Sequence, residues 1–131
     1  MKHPSPPALP TDAELGILQV LWAGGPQTVR DVYDVLAGRR PVGYTTVLKL
    51  LQIMHGKRLV TRDESARSHL YAAAVGEDQV QRLLIADLAQ RAFGGSAARL
   101  AVRALSAEPA RPEEIERIRE LLRGPDPEEI S

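Results

Sequence analysis

Five polar residues fall within nine positions of one helical stretch: Tyr44, Thr45, Thr46, Lys49 and Gln52. Thr45, Lys49 and Gln52 recur at i, i+4 and i+7, which sets them on one face of a helix. Their chemistry is that of base-edge readers. Thr touches a thymine methyl or a phosphate, Gln pairs bidentately with adenine, and Lys reaches the guanine acceptors. Periodicity alone favours the solvated side of an amphipathic helix. The arginines shift the balance. Arg39 and Arg40 precede this stretch, Arg58 and Arg62 follow it, and Arg67 lies further on in a polar turn. If the stretch is a groove-facing helix with a hairpin after it, these five flank it where phosphates lie.

Other chemistries have little support. The chain has no cysteine, which excludes disulfides and thiolate sites. His3, His55 and His69 are too far apart for a zinc motif. There is no G-x-S-x-G, no H-E-x-x-H and no phosphate-cradling glycine loop. The reading is therefore a non-enzyme with no metal and no cofactor. Aromatic content is 4%, too low for a single-strand stacking platform.

The elements that would position these residues can be read in order. Residues 1–10, with four prolines and no apolar periodicity, read as a disordered arm. They lack the apolar run of a signal peptide, and no later run reaches membrane-span length, so the expected location is the cytoplasm. Thr11-Asp12-Ala13-Glu14 fits a capping box opening a first helix. Leu15, Ile17, Leu18, Leu21 and Trp22 give it a broad apolar face, and Gly24-Gly25-Pro26 stops it. Thr28 caps a second helix whose stripe is Val29, Val32, Tyr33 and Leu36. The third helix starts at Tyr44 or Thr45 and runs to about Lys57, with Val47, Leu51 and Met54 inward. Two short extended runs follow, Leu59–Glu64 and His69–Ala73, joined by the turn Ser65-Ala66-Arg67-Ser68. Three helices and then a two-stranded hairpin is the order of a winged helix-turn-helix domain, expected over residues 11–75.

Beyond Gly76 the pattern is helical again, expected over residues 76–124 with an acidic tail at 125–131. Val80, Leu83, Leu84 and Leu88 mark a fourth helix ending at Phe93-Gly94-Gly95. Ser96 caps a fifth, and Pro112 opens a sixth with Glu113 and Glu114 at its positive end. Three short helices bury too little surface to be stable alone. They must pack on the first domain or on a second copy, and the second option gives the segment a purpose. Leu84, Leu88, Phe93, Leu100, Leu105, Ile115, Ile118 and Leu122 are the expected dimer core. Charge follows the same division. Residues 1–75 carry nine Lys and Arg against six Asp and Glu, and the remainder carry eight against eleven.

Taken together, Thr11–Trp22, Thr28-Val29-Arg30-Asp31-Val32, Tyr44–Gln52, Leu59–Glu64, Arg67 and Phe93-Gly94-Gly95-Ser96 resemble the penicillinase repressor family, the BlaI/MecI repressors. The resemblance covers about residues 9–123. It implies an N-terminal winged helix and a C-terminal helical dimerisation domain. It further implies a homodimer that binds palindromic double-stranded DNA operators and represses transcription, often of β-lactam-resistance genes. A sensor protease is also implied as a partner, triggering cleavage within the C-terminal part. By alignment that cut falls near Arg103-Ala104, where some members carry Asn-Phe, so the expected cleavage motif is not matched. Copper-responsive relatives carry C-terminal cysteines, which this chain lacks. The glycine usual between the third helix and the first wing strand is Arg58 here, with Gly56 two residues earlier. Either the turn differs locally or Arg58 adds a phosphate contact.

Two competing readings remain. A winged-helix protein-interaction module would show weak salt dependence, whereas DNA binding weakens steeply with salt. A small-ligand-sensing regulator would need a pocket for which no aromatic or polar cluster is evident.

Overall fold

The computed structural model describes residues 9–124. Most of the expected arm and the whole of the expected acidic tail lie outside the described residues. The elements run in the order α1 (Asp12–Gly24), α2 (Val29–Ala37), α3 (Tyr44–Gly56), β1 (Val60–Asp63), β2 (Leu70–Ala73), α4 (Glu77–Ala92), α5 (Ala97–Ala107) and α6 (Pro112–Arg123). The fold is mainly α with a small β-hairpin wing, as the sequence implies.

Local chemistry sets the helix starts. The Thr11 hydroxyl accepts from the Glu14 amide at 3.2 Å, and the Glu14 carboxylate accepts from the Thr11 amide at 2.9 Å. Thr28 and Asp31 repeat this reciprocal arrangement at α2. Each box satisfies two of the amides a helix start leaves without partners. Ser96 caps α5 by accepting from Arg99. Between α4 and α5 the chain reverses through Gly94 and Gly95, both at positive φ, where a side chain would be strained.

The chain divides into two compact units, one ending at Leu84 and the other beginning at Ile85. The division falls later than the break after residue 75 that Gly76 suggests. The reason is packing: Val80 is buried in the first unit's core and Leu84 packs against it.

That core joins α1 (Ile17, Leu18, Val20, Leu21), α2 (Val29, Val32, Leu36) and α3 (Val47, Leu51, Met54) to Leu59, Val60 and Tyr71 of the hairpin. The strands pair antiparallel, with Val60 opposite Ala73 and Arg62 opposite Tyr71. Gln27, just before α2, adds one isolated antiparallel bridge to Tyr71. Its backbone bonds to Tyr71 run in both directions, at 2.9 and 2.7 Å. This pins the base of the wing to the start of α2. Trp22 donates its indole N–H to the Val75 carbonyl at 2.9 Å, fastening α1 to the chain beyond the wing.

The turn from α3 into β1 places Arg58 at φ 66°. The Leu59 amide bonds the Met54 carbonyl and the Arg58 amide bonds the His55 carbonyl, closing the helix in a Schellman motif. Arg58 occupies the left-handed position that glycine usually takes. The turn keeps its shape without the glycine.

The second unit contains the remainder of α4 together with α5 and α6. α5 and α6 have no buried residue. Leu105, Ala110, Ile115 and Ile118 line a shallow apolar cleft between them.

Candidate nucleic-acid interface

α3 is divided lengthwise by burial. Val47, Leu51 and Met54 are fully buried, while Tyr44, Thr45, Thr46, Lys49 and Gln52 are all exposed. The apolar stripe therefore fixes which face the five polar side chains present. Tyr44 is held by an edge-on contact with Tyr33 of α2, ring centroids 5.7 Å apart.

α3 is anchored at its far end as well. Lys57 donates to both Glu14 carboxylate oxygens, at 3.1 and 2.9 Å. Glu14 is buried, so this pair ties the start of α1 to the end of α3. Burial alone would raise the Glu14 pKa. The Thr11 amide and the Lys57 ammonium outweigh it and hold the carboxyl below its ordinary value of 4.5. The sequence marked Glu14 as a capping residue only. Its partner lies 43 positions away, and no local pattern could announce it.

An open concavity of about 440 Å³ lies beside α3. It is bounded by the first turn of α2 (Thr28, Val29, Arg30), by Tyr44, Leu48 and Gln52 of α3, and by Arg62, Arg67, Ser68 and His69 of the wing. Four of the sequence-derived site residues meet here: Tyr44, Gln52, Arg62 and Arg67. Arg62 is constrained. Its Nη2 pairs with Glu64 at 2.6 Å, and its Nε is buried without a partner. The neighbouring Tyr71 hydroxyl and the Glu64 carboxylate both favour its charged form. Arg67 is exposed in the wing turn, which Asp63 opens by accepting from the Ser65 amide at 2.9 Å. Hydrogen bonds from Ser65 keep the Asp63 carboxyl below the usual carboxylate range.

The other arginines lie elsewhere. Arg39 and Arg40 line a separate concavity of about 360 Å³ with Asp12, Leu15, Gly16 and Gln19 of α1. Arg40 extends along α1, its Nη2 3.5 Å from where a Cβ on Gly16 would sit. Arg58 is exposed at the α3–β1 turn and lines neither concavity. Sequence reasoning passed over Arg30 and His69 at the first concavity. Arg30 sits in the first turn of a helix whose stripe was read for its apolar residues, and only the folded wing brings His69 beside it.

The residues expected to form a dimer core are graded in exposure. Leu84 packs on the first unit's core, and Phe93, Leu100 and Ile118 are partly buried. Leu88, Leu105, Ile115 and Leu122 are exposed, joined by Ile85, Val102 and Leu121, which lie outside the expected dimer core. No helix among the described residues is long and apolar enough to cross a membrane.

The model of the penicillinase repressor family matches residues 10–124, nearly all of the described chain. The chain belongs to the penicillinase repressor family. Within that family's reach, the transcriptional regulator BlaI of Mycobacterium tuberculosis, in strains CDC 1551 / Oshkosh and ATCC 25618 / H37Rv, is 40% identical over 87 residues. The match takes in 65% of this chain and 63% of the relative, so the chain spans a little under two thirds of the curated relatives' length. Among solved structures, the monomeric form of Bacillus licheniformis BlaI in complex with the blaP half-operator aligns at 20% identity and a TM-score of 0.48. The alignment covers 55% of this chain and 90% of that one.

Proposed function

We propose that this chain is a sequence-specific, DNA-binding transcriptional repressor acting as a homodimer on a palindromic operator. One observation carries the reading. The exposed polar face of α3 and two arginines of the wing, Arg62 and Arg67, border one concavity, while the opposite face of α3 is locked in the core. Tyr44, Thr45, Thr46, Lys49 and Gln52 approach base edges in the major groove. Arg39, Arg40, Arg58, Arg62 and Arg67 hold backbone phosphates on either side. Membership of the family and the relatives' name as transcriptional regulators support the same function.

The second unit supplies the pairing. Its exposed leucines, isoleucines and valine form an apolar surface that a second copy would cover. Two weak half-site contacts then act as one strong contact, and separating the protomers releases the DNA. A sensor protease acting on the second unit would be one route to that separation. α5 carries Arg103-Ala104 at the aligned position, on an exposed helix.

The test is fluorescence anisotropy on DNA from the chain's own promoter region, against scrambled DNA, over a salt series. Tight, salt-sensitive, selective binding at two protomers per site is expected. Lys49→Ala should weaken specific binding by about 1–3 kcal/mol. An unchanged affinity would overturn the assignment of α3 as the reading helix.

A further inference from the structure

The concavity beside α3 gathers arginines from two directions. Arg30 enters from α2, and Arg62 and Arg67 enter from the wing, with His69 beside them. None of its lining residues is acidic among the described residues. Three carboxylates bonded to lining residues already have partners. Asp31 accepts from the Thr28 amide, Glu64 is paired with Arg62, and Asp34 lies 3.8 Å from Arg30 in an exposed i,i+4 pair. An exposed pair at that separation contributes little and yields readily to a stronger anion.

Arg30, largely exposed, also lies over an aromatic ring. Its guanidinium carbon stands 5.8 Å from the Tyr33 ring centroid, and Tyr33 in turn meets Tyr44 edge-on. A guanidinium resting on an aromatic face keeps its N–H fork pointing outward, and that fork matches the oxygens of a phosphate. The contacts run from α2 to the first residue of α3, so Arg30 and the polar face of α3 are neighbours in the fold.

We propose that Arg30 seats a backbone phosphate of the DNA in this concavity, opposite Arg67 of the wing. The inference rests on the DNA-binding reading above and adds a contact from α2 that sets the position of α3 in the groove. A phosphate contact carries no sequence information. Its loss therefore weakens all DNA alike, whereas loss of a base contact weakens the specific site alone.

The experiment compares the full chain with Arg30→Gln and Arg30→Lys on promoter-region and scrambled DNA, from 50 to 200 mM salt. Thermal melts establish that the variants remain folded. Arg30→Gln should weaken both DNAs by a similar factor. Its log–log salt slope should be shallower by about 0.9 per protomer, so wild type loses roughly three- to fourfold more affinity per protomer across that range. Arg30→Lys keeps the charge and should retain the wild-type slope. An unchanged slope in Arg30→Gln would overturn the proposal, as would a loss confined to the promoter DNA, which would mark a base contact. If wild type itself shows no salt-dependent binding to either DNA, the DNA-binding reading fails and the proposal falls with it.

Discussion

The first unit buries Ile17, Leu18, Val32, Val47, Leu51 and Met54 completely, whereas the second leaves Leu121 and Leu122 80% exposed and Val102 66% exposed. The helices of the two halves are of similar length, but those of the second are less apolar, α6 interspersing its leucines and isoleucines with charged residues. What also differs is what their stripes face. In the first unit, three helices and a hairpin converge, so every stripe finds another. In the second, α5 and α6 meet in a shallow cleft and much of each stripe remains outward. The contrast separates two situations for apolar residues: one set closes a core behind the polar face of α3, and the other stays outward, where the proposed dimer would cover it.

The sharpest way to break this comparison is to truncate one leucine in each unit. Leu51→Ala opens a cavity in a closed core and should cost about 2–5 kcal/mol. Leu122→Ala removes a side chain that is mostly in water already, and should change the stability of a dilute, monomeric chain by under about 0.5 kcal/mol. Urea unfolding measures both. At high concentration, sedimentation should show Leu122→Asp shifting the chain toward monomer. A Leu122→Asp protein that sediments like wild type would remove Leu122 from the proposed interface. A large stability loss in the dilute Leu122→Ala protein would mean that the second unit closes a core of its own.

Burial of charge sharpens the comparison further. Glu14 is the one buried charged residue among those described, and it belongs to the first unit. The second unit's Glu114, whose pKa is lowered by hydrogen bonds from the Arg111 backbone and side chain, is exposed. Because the Glu14 carboxyl titrates below its ordinary 4.5 in the folded state, the stability it contributes is present above the unfolded value. It is lost as pH falls through the lower, folded value. Glu14→Gln should cost about 1–3 kcal/mol near pH 7. It should also flatten the acid limb of the stability curve below the ordinary carboxyl value of 4.5. A variant with the wild-type acid limb would show that other carboxylates set it.

Much of this was legible in the sequence because it is local. Thr11, Thr28, Ser96 and Pro112 each announce a helix start within four residues, and all four helices begin where those residues direct. The apolar stripe of α3 likewise fixed which side chains are outward. What could not be read depends on distant residues meeting. The Glu14–Lys57 pair, the Trp22–Val75 bond and the Gln27–Tyr71 bridge all span long separations. The five arginines appeared as one flanking set in sequence order. In space they divide between two concavities and a turn, because the α2–α3 connection lies against α1 while the wing folds toward α3.

Arg58 offers the smallest and most discriminating test. Its φ of 66° costs a non-glycine residue about 1–2 kcal/mol, yet the Schellman bonds on either side hold it there. Arg58→Gly should relieve that strain. The greater freedom of glycine in the unfolded chain offsets part of the gain, leaving a net stabilisation of up to about 1 kcal/mol. Arg58→Ala keeps the strain and should leave stability near wild type or slightly below. Both variants remove the same charge. If Arg58 holds a phosphate, both should bind DNA more weakly and with a shallower salt slope, although one is more stable than wild type. A stabilised Arg58→Gly protein with undiminished affinity would show that the side chain is no part of the interface. A strained arginine would then occupy this turn without a binding role.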